Sequence, residues 1–432
     1  MATNSSTHAS APKLSLWMKS AYGFGSAAYG IKNNGFDYFL LLFYSQVIGL
    51  DARLVGIAIT TALVFDAISD PIVGYWSDNL RSRWGRRHPF MYAAAIPVTA
   101  SYFLLWNPPA GLSESGLFWY LLVLAVSIRT FITMYETPSS ALAPELTDHY
   151  DERSSLLSFR YYFGWTGGNA MSVLMFFFLF PLMATATIED GRFNRESYEI
   201  MGIVASGLIF ISIMVSALGT HARIPHLKQP PVRRRITLGT IFREIFETLS
   251  ERSFIALFLA SLAGAVATGL AAALAFYFYT YFWEFTSVET GVITMGVFLS
   301  AVIGSTMAPA MSRRLGKKRG AIIVGLAAFL GAPLPVTLRL FGLLPDNGDP
   351  FLFWFVFLTG MIDVGLIICF QILFSSMIAD LVEQSELQTG RRNEGVYFAS
   401  VTFIRKCVQG IGLMLASLVL YLADFPAGAT VD

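Results

Sequence analysis

An all-α polytopic membrane protein built from two helix bundles is the fold class this sequence predicts, and three observations predict it. Of 432 residues, 55% are hydrophobic and only 14% charged, well short of the about 25% charged residues of soluble domains. Apolar runs of about 20 residues, the length that crosses a bilayer, recur eleven times between short polar gaps. Lys and Arg crowd into alternate gaps, 21 of the 30 on one side against four on the other. That asymmetry marks the cytoplasmic face of a membrane protein, so the N-terminus is expected in the cytoplasm.

Taken in order, residues 1–19 form a polar tail without the basic and apolar regions of a cleaved signal. Helices are expected over roughly 20–48, 53–78, 89–107, 115–143, 155–185 and 198–219, then 253–284, 288–311, 319–342, 350–380 and 395–423. The widest polar gap, 220–252, carries Pro230-Pro231 and Arg233-Arg234-Arg235. It is the natural cytoplasmic linker between a six-helix bundle over 20–219 and a second bundle over 253–432. Trp84-Gly85-Arg86-Arg87 after the second helix is echoed by Leu315-Gly316-Lys317-Lys318 after the eighth. An echo six helices later fits parallel repeats related by an axis along the membrane normal.

The sequence argues against several function classes. Cys369 and Cys407 both fall in apolar runs, so no disulfide framework is expected. The five histidines are scattered, and there is no P-loop, nucleophile elbow or metal-ligand spacing. An enzyme, a bound cofactor and a nucleic-acid partner are therefore not expected.

Charges inside the apolar runs are the informative residues, because a charge at membrane depth is costly and faces a protein-lined cavity. Asp66 and Asp70 lie four residues apart on one face of the second helix. Arg129, Thr133 and Glu136, at i, i+4 and i+7, share a face of the fourth. Lys32 and Asp37 fall in the first helix, Arg160 in the fifth, Asp363 in the tenth, and Arg405 and Lys406 in the eleventh. Five acids and five bases balance, which fits pairing across a shared cavity. A carboxylate pair with a neighbouring hydroxyl suits a hard monovalent cation or a proton; a purely structural ion-pair network has the same sequence. The basic hairpin at 81–87 reads as structural and topogenic. The aromatic run 276–283 fits either sugar stacking or an interfacial belt.

Asp66-Ala-Ile-Ser-Asp-Pro-Ile-Val-Gly74 followed by Arg81-Ser-Arg-Trp-Gly-Arg-Arg87 resembles the glycoside–pentoside–hexuronide:cation symporter family of the major facilitator superfamily. Ala379-Asp-Leu-Val-Glu383, Thr389-Gly-Arg-Arg-Asn-Glu-Gly395 and Tyr135-Glu-Thr-Pro138 carry the same resemblance. It implies a secondary transporter that couples a cation, H+ or Na+, to a sugar or glycoside by alternating access. The expected setting is a bacterial inner membrane and the expected state a monomer. Asp66, Asp70 and Thr133 match cation-binding positions, where Na+ is the one metal implied. Glu136 stands where the family has a sugar-binding Asp, Arg160 matches an Arg near the sugar, and Lys406 matches a Lys linking the two sites. Lys32-Asn33-Asn34 and Asp37 occupy the region of a first-helix sugar-binding acid, and Arg129 stands where relatives tend to have a small residue. The resemblance also implies twelve helices, so with the sequence ending at Asp432 a twelfth is expected to be missing. Some relatives of this fold carry lysolipids, which leaves an amphipathic substrate as the alternative.

Overall fold

The computed structural model describes residues 14–147, 150–227, 252–389, 412 and 414–426. The central part of the linker and most of the expected eleventh helix lie outside them. Among the described residues the chain is helical, without strands. Nine described helices are long and apolar enough to cross a membrane.

The first expected helix is real but not continuous. Here α1 is assembled from Leu16–Phe24 and Ser26–Asn34, a π turn at Gly35–Phe39, a short α segment at Leu40–Leu42 and a second π turn at Phe43–Val47. Then follow α2 (Ala52–Asn79), α3 (His88–Trp106), α4 (Glu114–Leu146), α5 (Tyr150–Leu174) and α6 (Arg195–His221). A π turn at Met175–Leu179 prolongs α5. The second half holds α7 (Arg252–Tyr277), extended by a π turn at Phe278–Phe282, and α8 (Ser287–Leu315). It continues with α9 (Lys317–Gly331) and α10 (Pro350–Thr389). The ninth apolar run, expected as one helix, breaks at Ala332-Pro333 and resumes as Leu334–Leu340, because proline removes a donor and clashes with the preceding turn.

Helix starts follow from capping chemistry. The side chains of Ser15, Asp51, Ser113 and Asn194 accept bonds from the first-turn amides of α1, α2, α4 and α6. Thr286 and Glu289 cap α8 reciprocally.

Packing falls into two sets. In the first half α2 lies along α4, α3 along α4 and α6, and α1 along α5 and α6; in the second, α8 and α9 lie along α10. The backbones of α1 and α5 touch: a Cβ on Gly30 would overlap the Gly164 carbonyl oxygen. Gly168 faces Gly30 in turn, its own Cβ position 2.8 Å from the Gly30 carbonyl oxygen. Small residues permit such close approach in lipid, where dispersion replaces hydrophobic drive. Gly30→Ala is therefore expected to cost at least about 1–3 kcal/mol by overpacking, seen as a lowered melting temperature of the purified protein.

The two halves meet at the end that the sequence places outside. Tyr38 and Phe39 of α1 pack on Phe276 of α7, with ring centroids 5.5 and 5.3 Å apart. Arg192 donates to Thr280 Oγ1 (2.8 Å) and Tyr281 to Gln46 Oε1 (2.9 Å). The described π turns of α1, α5 and α7 all fall toward this end.

At the opposite end the basic hairpin has a definite partner. Arg86 and Arg87 both pair with Glu145 Oε1, at 2.6 and 3.0 Å, and Arg87 also donates to Ser77 Oγ (2.8 Å). Arg86, Arg87 and Glu145 are nearly sequestered from solvent. The hairpin thus ties the end of α2 to the end of α4. Removing the shared acid leaves two buried guanidinium groups without their carboxylate. Glu145→Gln is expected to lose about 3 kcal/mol, measurable as a lower denaturation midpoint.

Candidate functional site

The site is built on the long contact between α2 and α4. Asp66 and Asp70 stand one turn apart on α2, and Arg129 and Thr133 one turn apart on α4, so two matching faces meet. Thr133 Oγ1 lies 2.8 Å from Asp66 Oδ1 and 2.9 Å from Asp70 Oδ1. Arg129 Nη1 lies 3.3 Å from Asp66 Oδ2. Asp66, Arg129 and Thr133 are buried, at 3, 5 and 2% exposure, and Asp70 is half-buried. A hydroxyl carries one proton, so Thr133 donates to only one carboxylate at a time. These four side chains together carry two acids and one base.

Three residues further along α4, Glu136 turns to α5. It forms a close ion pair with Arg160, whose guanidinium also donates to Ser139 Oγ (3.0 Å) and Tyr22 (3.5 Å). The Tyr22 hydroxyl donates to the Ser139 carbonyl (3.1 Å). One oxygen of Glu136, Oε2, is buried without a hydrogen-bond partner among the described residues. A buried acceptor in that state is costly unless a donor arrives, and a ligand hydroxyl is such a donor. One helix therefore carries both the cation-type cluster and an open acceptor.

On α1, Lys32 is buried, its Nζ 4.8 Å from the Tyr29 ring centroid and 5.9 Å from that of Phe36. The Arg129 guanidinium lies 4.9 Å from the same Phe36 ring. Asn34 accepts from Ser172 Oγ (2.7 Å), which ties α1 to α5. Asn33 is half-buried, as is Asp37 within the first π turn. Asp363, expected in the charge network, is placed elsewhere: its Oδ1 lies 3.3 Å from the Cβ position of Gly331 on α9. Lys406 lies outside the described residues, so its expected link between the two sites has no geometry here.

Sequence reading did not find Tyr22, Ser139 or Phe36. Ser139 is three residues after Glu136, so helical register points to it. Nothing in the local sequence singles out Tyr22 or Phe36, which reach the site only through packing of α1 on α4 and α5.

Several known proteins are similar to this chain. An uncharacterised symporter of Synechocystis sp. is 34% identical over 233 residues, covering 52% of this chain and 41% of that protein. The sodium-dependent lysophosphatidylcholine symporter 1-A of Danio rerio is 30% identical over 148 residues, 34% of this chain and 27% of that one. The isoprimeverose transporter of Lactiplantibacillus pentosus is 22% identical over 389 residues, 90% and 76% of the two chains. The first of these matches thus spans less than half of the relative's length. Among solved structures, the nucleoside transporter NupG superposes with a TM-score of 0.62 at 14% identity, over 94% of this chain and 89% of that one. The inward-open xylose transporter XylE from E. coli gives 0.58 at 14%, over 94% and 95%. At such identities the likeness establishes the fold, that of major facilitator transporters. The family described as MFS/sugar transport protein matches residues 21–432, and with the membrane helices, the buried charges and the fold in agreement, the chain belongs to that family of integral membrane transporters.

Proposed function

We propose that this chain is a secondary transporter that carries a sugar or glycoside together with a monovalent cation, H+ or Na+, by alternating access. The observation that carries this reading is the Thr133 hydroxyl held between Asp66 and Asp70 within hydrogen-bond reach of both. Two acids sharing one hydroxyl at membrane depth attract a cation, and its arrival lowers the cost of burying them. Glu136, three residues away with an open oxygen, is the substrate acceptor in this reading. Arg160 holds Glu136 in place, and Asn33 and Asp37 of α1 border the route. Cation and substrate then share α4, and each favours the conformation the other needs. No covalent step is involved. The setting is an inner membrane, with a cytoplasmic N-terminus and bundles over 20–219 and 253–432 rocking about the 220–252 linker. A monomer suffices.

The test is accumulation of radiolabelled glycosides in proteoliposomes, with sodium and proton gradients imposed separately. Accumulation above the external concentration under one gradient supports the reading; passive equilibration of every sugar under both contradicts it. Similarity to the lysophosphatidylcholine symporter supports a second reading, transport of a lysolipid. Lysolipid accumulation in the same vesicles, with no sugar carried, is the outcome that favours it.

A further inference from the structure

Arg129 brings a fixed positive charge into the carboxylate cluster, at a place a metal ion would otherwise serve. Its Nη1 faces Asp66 Oδ2 at 3.3 Å, while Asp66 Oδ1 faces the Thr133 hydroxyl at 2.8 Å. Both oxygens of the deeper carboxylate are therefore engaged by this chain. Hard cations need several oxygen ligands at once, and with Arg129 held on Asp66 Oδ2 that oxygen is already taken by a positive charge. The guanidinium is also held from behind, 4.9 Å from the Phe36 ring centroid, on the ring that Lys32 approaches to 5.9 Å. Arg129 is 5% exposed and Lys32 1%, so neither is placed to swing out into water.

We infer that Arg129 is the ion-selecting residue of this transporter: it stands in for a metal cation at Asp66 and keeps sodium from binding to the Asp66–Asp70 pair. The inference rests on the symport reading for its physiological meaning and on geometry alone for its chemistry. A sodium ion between the two carboxylates would lie within a few ångströms of the guanidinium. Two unit charges about 4 Å apart, at the screening typical of protein sites, repel enough to weaken binding by about a thousandfold. Arginine stays charged at every working pH, so that repulsion is permanent. Replacing it with a neutral side chain leaves two acids and one hydroxyl without the guanidinium, which is a sodium site.

The experiment is sodium binding to the purified full chain, read by calorimetry with sodium chloride against choline chloride. Wild type, Arg129→Gln and Arg129→Lys are compared. Wild type and Arg129→Lys are expected to bind no sodium, and Arg129→Gln to gain saturable binding. Because Arg129→Gln takes the guanidinium from Asp66, its melting temperature is followed in parallel. Sodium, but not choline, is expected to raise it by replacing the lost charge, and to leave wild type unmoved. Saturable sodium binding to wild type overturns the inference, as does an Arg129→Gln protein whose binding and melting ignore sodium. No substrate enters these measurements. Failure of the symport reading shows separately, as the absence of gradient-driven uptake by wild type.

Discussion

Asp70→Asn is expected to abolish cation-driven accumulation while leaving the protein folded in the membrane. The substitution keeps the size of the side chain and its acceptor oxygen toward Thr133, 2.9 Å away in the wild type, but removes the charge that calls a cation into the site. One monovalent cation travelling with a neutral substrate across about 100 mV supplies about 2.3 kcal/mol, enough for about fiftyfold accumulation. Without the second carboxylate, the remaining acid, Asp66, is paired with Arg129, and the pull on a further cation is lost. Accumulation should then fall to the external concentration, while exchange of labelled for unlabelled substrate across the membrane persists. Wild-type accumulation in Asp70→Asn would remove the carboxylate pair from the coupling mechanism.

The second large effect is expected at the ion pair between α4 and α5. Arg160 is 8% exposed and holds Glu136, Ser139 and Tyr22 together. Arg160→Leu leaves the Glu136 carboxylate facing the protein interior alone, a loss of about 3 kcal/mol. Glu136 keeps roughly a quarter of its side chain exposed, which places the cost at the lower end for a broken buried pair. Adding Glu136→Gln removes the stranded charge, so the double variant should recover most of the melting temperature. Transport should not return, because the carboxylate of Glu136 and its orientation by Arg160 are both gone. A double variant that is as unstable as Arg160→Leu would mean that the bonds to Ser139 and Tyr22, rather than the ion pair, hold α5 in place.

Much of the fold was legible because the bilayer imposes it. The first ten apolar runs correspond to the described helices, since each span must satisfy its own backbone in lipid. The bends were not legible. The π turns at Gly35–Phe39 and Phe43–Val47 lie inside an unbroken apolar run, and they depend on how α1 packs rather than on local composition. The break after α9 was legible in principle, through Pro333, but a run of mean apolar character hides it.

At the site, helical register placed Asp66 with Asp70 and Arg129 with Thr133, and the structure brings both pairs together. Register could not say that Glu136, on the same helix, turns to Arg160 instead. That choice depends on α5 approaching α4. Asp363 shows the limit of counting charges: balance across the membrane suggested a shared network, yet its neighbour is Gly331 on α9. The hairpin arginines show the reverse case. Arg86 and Arg87 were read as structural and topogenic, and they form a buried link to Glu145, an acid whose position at the end of α4 carried no local signal.

Coupling is reciprocal: if a cation gradient drives substrate, a substrate gradient must drive the cation. The most direct measurement therefore imposes only an inward gradient of transported glycoside on proteoliposomes at equal ion concentrations, and follows cation entry with an internal pH dye and with labelled sodium. Wild type is expected to show cation entry that rises with substrate entry, and Asp70→Asn to show substrate entry alone. Substrate entering wild-type vesicles with no movement of either cation would contradict a coupling role for Asp66, Asp70 and Thr133.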